Sequence, residues 1–139
     1  MRPDAGAPAD WLRHARSDLA LAHPSPDPQV LRENLCFHAQ QAAEKSIKAV
    51  LVARGLAVPR THNLRSLVDL LPPDITTPPD ILLSAGLTDY AVSSRYPGDY
   101  EEITEQEYQE ALRLAAAVVT WADQLCLSPN EAEQSAAAT

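Results

Sequence analysis

The sequence predicts an all-α protein, an up-and-down bundle of four to five helices. Apolar residues recur every three to four positions over most of the chain, which is the period of a helix with one buried face. No segment alternates apolar and polar residues as a half-buried strand does, and no Asn-Gly hairpin signal occurs. With 139 residues, 45% of them hydrophobic and 22% charged, the chain has the size of one globular domain.

The first helix is predicted over residues 10–22, with Asp10 as its cap. Residues 1–9, which include two prolines, are expected to form a flexible lead. The helix ends before His23-Pro24-Ser25-Pro26-Asp27-Pro28, because proline lacks the backbone donor and restricts the residue that precedes it. We expect a stiff surface loop there.

A long second helix is predicted over residues 29–54. Gly55 after a last-turn arginine is a typical helix stop. The apolar positions that define the helix are Leu31, Leu35, Ala39, Ala42, Ala43, Ile47, Val50 and Leu51. Short connections between the long helices favour antiparallel neighbours, and two helices long enough to pack across a partner make a homodimer the expected assembly.

The rest of the chain is predicted to hold two shorter helical segments and another long helix. The short helix at 63–71 has Thr61 or Asn63 as its cap, and a segment at 80–94 contains Gly86, which weakens its continuity. The last helix, 105–126, follows a capping box formed by Thr104 and Glu107. Residues 127–139 are expected to be disordered, which leaves 10–126 as the helical domain.

Charge divides sharply along the chain. Residues 1–95 hold ten acidic and ten basic residues, whereas residues 96–139 hold nine acidic residues and one base, Arg113, so the net charge of −8 belongs to the C-terminal part. A protein that coats duplex DNA presents a basic face, so duplex DNA is disfavoured as a partner. The acidic end suits a basic partner or keeps the protein soluble.

The positions of the cysteines argue against a metal site or a disulfide bond, and the hydropathy argues against a membrane-spanning segment. Cys36 and Cys126 lie in apolar helical patterns without the spacing of a zinc site, so both are interpreted as reduced and buried, and no cofactor is predicted. The apolar run from Leu114 to Trp121 is far shorter than the roughly 20 residues that span a bilayer. The N-terminus lacks an apolar signal core, so the cytoplasm is the expected compartment.

Three blocks in order carry a family resemblance. They are CFHAQQAAEKSIKAVL at 36–51, THNLRSL at 61–67 and LTDYAVSSRYP at 87–97. With the two terminal helices they make the chain resemble the HEPN family of small prokaryotic helical proteins over about residues 10–126. The resemblance implies a dimerising bundle that acts with a minimal nucleotidyltransferase in a toxin–antitoxin or defence module.

Many HEPN proteins are RNases, and the resemblance therefore points to one catalytic residue. Those members use an Arg and a His separated by four to six residues, because His moves the 2′-hydroxyl proton and Arg stabilises phosphate charge. Arg95 matches the Arg, but the positions where the His belongs hold Tyr100, Glu101 and Glu102. The usual RNase route is therefore not expected. The enzyme alternative is a metal-independent RNase that combines Arg95 with His38 or His62 across a dimer.

Several polar residues are candidate contacts for a nucleotide or RNA. His38, Gln41, Lys45 and Lys48 follow spacings of three, four and three, so they form one stripe that suits a phosphate. The alternative is a solvated face with Glu44 and Lys48 as an i,i+4 pair.

Two further groups of candidates stand in loops. His62, beside Arg60 and Arg65, either enlarges a basic pocket or serves as a structural hydrogen-bonding group. Arg95 and Tyr96 precede a Pro-Gly turn, which either projects them into a site or is anchored by them.

A tyrosine near the Arg/His motif accepts nucleotidyl groups in some members of the family. By resemblance, Tyr96 and Tyr100 are candidate modification sites. The sequence thus predicts a nucleotide- or RNA-binding component that acts with a nucleotidyltransferase, with a non-standard RNase and a non-catalytic helical scaffold as alternatives.

Overall fold

The computed structural model describes residues 6–91 and 102–126, and within them every regular element is helical. Five α-helices of at least five residues are present there, together with the single turn α5. They are α1 (Pro8–Ala22), α2 (Arg32–Ala53), α3 (Leu64–Val68), α4 (Pro79–Leu83), α5 (Thr88–Ala91) and α6 (Glu105–Cys126), with a 3₁₀ turn at Ser84–Leu87. The predicted all-α helical bundle is confirmed.

The long helices α1, α2 and α6 form the body of the bundle. Trp11 near the start of α1 lies against Lys48 near the end of α2, and Asp18 near the end of α1 reaches His38, so these two helices are antiparallel. Tyr108 at the start of α6 donates a hydrogen bond of 2.5 Å to the carbonyl of Ala22 at the end of α1. Helix α6 therefore also runs antiparallel to α1 and parallel to α2.

The shorter helices connect the end of α2 to the start of α6, and they pack against α6. Arg113 of α6 bonds Asp80 of α4 at 3.0 Å, and the Trp121 indole donates to the carbonyl of Thr76 at 3.0 Å. The core is rich in alanine, which lets the helix axes approach closely. Fully buried alanines include Ala15, Ala39, Ala43, Ala115 and Ala122.

Helix α1 starts earlier than predicted, and Asp10 is not its cap. The cap position is Ala7, whose side chain makes no capping bond, and Pro8 is the first helical residue. Proline is favoured there because its fixed φ suits the helix and its missing N–H would be unpaired anyway. Asp10 instead lies in the first turn, where its charge complements the helix dipole.

Other helix ends follow the predicted capping chemistry. Asn63, not Thr61, caps α3 by accepting a 3.2 Å bond from the Ser66 amide. The capping box forms at α6, where the Thr104 amide donates to Glu107 at 2.9 Å and the Glu107 amide donates to Thr104 at 3.0 Å.

The remaining helices are shorter than the periodicity indicated. Helix α2 begins at Arg32 instead of residue 29, and α3 ends at Val68 instead of residue 71. The segment predicted at 80–94 is interrupted by the 3₁₀ turn that contains Gly86, as its glycine indicated. Residues 92–101 and 127–139 lie outside the described part of the chain.

Both cysteines are free thiols, but they differ in burial. Cys36 is fully buried, whereas Cys126 is only half-buried, so the expectation of two buried cysteines is wrong for Cys126. Burial raises the pKa of each thiol to about 11. None of the helices described combines the length and apolar character needed to cross a bilayer.

Candidate functional site

Helix α2 carries polar residues on the face that it turns toward the bundle. The side chains of Glu44 and Lys48 are only 3% and 8% exposed. A buried charge is costly unless it is paired and hydrogen-bonded, so their partners determine what this face does.

Glu44 is the centre of the first cluster. Its carboxylate accepts bonds from Lys48 Nζ at 2.8 Å, Gln40 Nε2 at 3.0 Å and His62 Nδ1 at 2.9 Å. Burial alone would raise the pKa of Glu44, but these hydrogen bonds outweigh it and hold the pKa below the ordinary value. Glu44 is therefore an ionised acceptor inside the bundle.

The same cluster fixes His62 at the surface. Although its side chain is 69% exposed, its Nδ1 is attached to Glu44, and Gln40 Nε2 also donates to the His62 carbonyl at 3.3 Å. Gln41 supports Gln40 by donating a 2.7 Å bond to its side-chain oxygen. The loop before α3 is thus bound to α2 through both the backbone and the side chain of His62.

Two arginines lie close to His62 in the sequence. Arg60 and Arg65 are exposed, and neither makes an ion pair with any residue in 6–91 or 102–126. The start of α5 is adjacent, because the Leu64 amide of α3 donates to Thr88 Oγ1 at 2.8 Å. We call Arg60, His62 and Arg65 the His62 surface.

A second cluster joins α1 and α2. Asp18, whose side chain is 10% exposed, accepts from His38 Nδ1 at 3.0 Å and from Lys45 Nζ at 2.6 Å. The His38 ring also meets Phe37 edge-on, with centroids 5.5 Å apart. Helix α2 therefore takes part in two imidazole–carboxylate pairs.

The predicted stripe on α2 consequently does not form a solvated face. His38 and Lys45 turn toward Asp18 of α1, and Lys48 is buried with Glu44 and lies 5.7 Å from the centre of the Trp11 ring. The i,i+4 pair of Glu44 and Lys48 exists, but it is buried. The structure does not join the four stripe residues into one open site, since Lys45 and Lys48 pair with different carboxylates.

Sequence reasoning missed one residue in each of these clusters, Asp18 and Gln40. Asp18 lies between the apolar positions Ala15 and Ala22 on the buried face of α1, and a carboxylate on an apolar face is the signal that could have identified it. Gln40 was likewise not singled out. Arg95, Tyr96 and Tyr100 lie outside the described residues, so no geometry relates them to His62.

Two grooves elsewhere in the described part of the chain are lined by residues other than the predicted binding residues. One of about 340 Å³ lies between α6 and the segment that ends in α5, and its apolar lining includes Leu83, Leu87 and Leu114. Another, of about 380 Å³, is lined by Ile81 and Trp121. No three His, Cys, Asp or Glu residues in 6–91 and 102–126 converge as metal ligands.

Comparison with known proteins identifies the family. The HEPN domain model matches residues 8–125. This chain belongs to the HEPN family. The resemblance carried by the three sequence blocks is confirmed, and the match covers nearly the range that they indicated.

Two solved structures share the HEPN fold of this chain. TT1696 from Thermus thermophilus is 33% identical with a TM-score of 0.73, and the match covers 85% of this chain and 97% of that one. ST0689, an archaeal HEPN homologue, is 29% identical with a TM-score of 0.67 over 88% of this chain and 99% of that one. No curated protein matches the chain.

Proposed function

We propose that this HEPN protein binds a nucleotide or RNA at the His62 surface, as the binding component of a toxin–antitoxin or defence module that acts with a nucleotidyltransferase. One observation carries the proposal. The exposed imidazole of His62 is held in place by a buried carboxylate, and Arg60 and Arg65, two and three positions away in the sequence, are exposed and make no ion pair with a described acid. Because the imidazole is already held by Glu44, its side chain loses little further conformational freedom when a ligand binds.

The chemistry of the His62 surface suits phosphate. Guanidinium groups bind phosphate oxygens through paired hydrogen bonds, and Arg60 and Arg65 are available for this. By contrast, the ammonium groups of Lys45 and Lys48 already bind carboxylates at 2.6 and 2.8 Å. The proposal therefore places the phosphate on the arginines and gives Lys48 the role of holding Glu44.

Two further predicted contacts lie outside the described residues, in the segment that follows α5. Arg95 and Tyr96 follow α5 within five residues of its last residue, Ala91, and α5 starts beside α3. The proposal retains them as contacts that approach the His62 surface from the segment after α5. It also retains the homodimer, which brings a second copy of this surface into one assembly.

The binding test uses fluorescence anisotropy with labelled single-stranded RNA and with labelled ATP. We expect Arg60→Gln/Arg65→Gln to weaken binding by at least about tenfold, since each arginine contributes a charge-assisted contact. Arg13→Gln/Arg16→Gln on α1 removes the same charge elsewhere and serves as the matched control. Equal weakening by both pairs would show that binding is only a response to net charge.

A second candidate function is a metal-independent RNase. It is favoured by the two imidazoles whose Nδ1 atoms bind buried carboxylates, at 3.0 Å for His38 and 2.9 Å for His62, because this arrangement is typical of an oriented general base. Arg95 would supply the positive charge across the dimer. Cleavage of an RNA pool in chelator by wild type but not by Arg95→Ala would support this candidate.

The partner enzyme has its own test. We expect incubation with the nucleotidyltransferase and ATP to raise the mass of the protein by one or more nucleotidyl groups, at Tyr96 or Tyr100. Phe substitutions at these two positions, singly and together, assign the acceptor. An unchanged mass would remove modification from the proposal, and a melting temperature that no nucleotide shifts would favour a helical scaffold.

A further inference from the structure

We infer that the groove between α6 and the segment that ends in α5 docks a partner protein through a basic amphipathic helix. The partner helix sets its apolar side chains into the groove and its lysines or arginines against Glu107 and Glu110. We call this groove, to which Leu83 also contributes, the Leu83 groove. It shares no residue with the His62 surface, so the inference is independent of the function proposed above.

The Leu83 groove has an apolar floor that the bundle leaves accessible. It measures about 340 Å³, and the buried side chains of Leu87, Ala111 and Leu114 line it. Leu83 lines the same groove but is 58% exposed. Gly86 lies beside it with no heavy atom within 4 Å of the place that a Cβ would take. A partner that covers this floor therefore buries a leucine side chain at a point where the backbone allows close approach.

The polar lining that α6 adds to the groove is acidic. Glu107 accepts a bond from the Thr104 amide and makes no ion pair with a described residue. Glu110 bonds Arg113 at 2.7 Å, but Asp80 bonds the same guanidinium at 3.0 Å, so two carboxylates share one cation. These hydrogen bonds hold the pKa of Glu107 and of Glu110 below the ordinary value. Since none of the described lining residues is basic, the groove carries net negative charge.

The charge of the groove selects the kind of partner. Nucleic acid is disfavoured, because its phosphates would face two ionised carboxylates. A second copy of this chain would bring a net charge of −8 to a molecule of the same charge. A basic segment gains favourable Coulomb energy at the same place. Since an apolar groove accepts the apolar face of an amphipathic helix, the occupant that satisfies both features is a helix with leucine-like anchors and flanking lysines or arginines.

The test measures the binding of a fluorescein-labelled peptide to the whole protein by anisotropy. The peptide has about 14 residues, with leucines at the i, i+3, i+4 and i+7 positions of a helix and lysines around them. Two control peptides replace every lysine by glutamate or every leucine by serine. We expect the lysine–leucine peptide to bind at least about tenfold more tightly than either control. No binding of this peptide, or equal binding of the glutamate control, would overturn the inference.

One variant tests the apolar contact. Leu83→Ser should weaken binding of the lysine–leucine peptide at least about fivefold, because the peptide loses a leucine to cover. The matched control is Leu21→Ser on α1, since Leu21 is 54% exposed and does not line the groove. It should leave the affinity unchanged. Both side chains are mostly in water, so neither variant should unfold the protein. Unchanged binding by Leu83→Ser would overturn the inference.

A second variant tests the charge. Glu107→Gln/Glu110→Gln should weaken peptide binding at least about threefold at low salt, the effect of two exposed ion pairs. The capping box is retained, because glutamine serves in it as glutamate does. Asp10→Asn/Asp69→Asn removes the same charge from exposed positions outside the groove and is the control. Equal weakening by the two pairs would show a response to net charge alone and overturn the inference.

Sedimentation velocity distinguishes a foreign partner from a second copy. The inference requires the groove to stay open in whatever oligomer the protein forms, so Leu83→Ser should sediment as wild type does. An oligomer that dissociates in Leu83→Ser and excludes the peptide would assign the groove to a second copy and overturn the inference. Binding of RNA and ATP should be the same in Leu83→Ser as in wild type, which keeps this test separate from that of the His62 surface.

Discussion

At the scale of the residue, Glu44 has the largest influence on this molecule. It neutralises Lys48 inside the bundle and at the same time orients His62 at the surface. The same buried carboxylate, with three hydrogen bonds, therefore serves both the stability of the bundle and the binding proposed for the His62 surface. Changes at Glu44 should therefore affect folding first, whereas changes at His62 should affect binding first.

Removing the carboxylate should destabilise the protein strongly. Glu44→Ala leaves the Lys48 ammonium buried without a partner, and breaking one side of a buried pair costs about 3–5 kcal/mol. His62→Ala is the control, with an expected loss below about 1 kcal/mol because the ring is mostly in water. Urea unfolding measures both. A loss for Glu44→Ala no larger than that for His62→Ala would contradict the central role of the carboxylate.

Replacing both partners should cost less than removing one. In Glu44→Gln/Lys48→Met the charges disappear together, and the methionine retains an apolar stem beside Trp11. We expect the double variant to be more stable than Glu44→Ala in the same urea titration. A double variant that is less stable would show that the ion pair itself contributes more than its desolvation costs.

The lowered pKa of Glu44 has a defined consequence for acid stability. The folded protein keeps this carboxylate ionised to lower pH than the unfolded chain, which binds the proton near the ordinary value of 4.5. The stabilisation is present above that pH and is lost as pH falls through the lowered folded pKa. Urea unfolding between pH 6 and pH 3 should show a steeper loss of stability in wild type than in Glu44→Gln. Parallel curves of stability against pH for the two proteins would contradict this prediction.

At the scale of the element, the sequence predicts local structure well where one residue type meets one backbone requirement. The capping box at Thr104 and Glu107 and the stop at Gly55 needed no knowledge of neighbouring helices. Whether the polar face of α2 is buried or solvated, by contrast, depends on the neighbouring helices. Glu44 and Lys48 have the same spacing on a solvated helix as on a buried one, and only the docking of α1 and of the His62 loop decides between them.

Two glycines differ in what their backbone conformation demands. Gly55 follows α2 with φ at +73°, and a Cβ there would meet no atom within 4 Å, so only conformational strain opposes a side chain. Gly55→Ala should cost about 1 kcal/mol. Gly86 also has open space around it but no positive φ, so Gly86→Ala should be neutral or stabilising. Thermal unfolding that ranks the two variants the other way would contradict this.

At the scale of the whole molecule, the net charge opposes nucleic-acid binding, whereas the distribution of charge over the fold leaves a small basic surface for it. The net charge of −8 repels nucleic acid, yet the excess acid belongs to residues 96–139, while Arg60 and Arg65 lie on the return segment between α2 and α6. A nucleic acid can therefore meet a small basic surface without contacting a broad one. This combination favours few phosphate contacts, and hence a single-stranded or small ligand.

The salt dependence of binding measures that number of contacts. Two arginines that each neutralise one phosphate of a single strand should give a slope of log K against log salt of about −1.4, far from the slope of a protein with six or more contacts. Arg60→Gln/Arg65→Gln should bring the slope close to zero, while Arg13→Gln/Arg16→Gln should leave it unchanged. A steep slope that persists in the first variant would place the phosphate-binding residues elsewhere, with Arg95 the next to substitute.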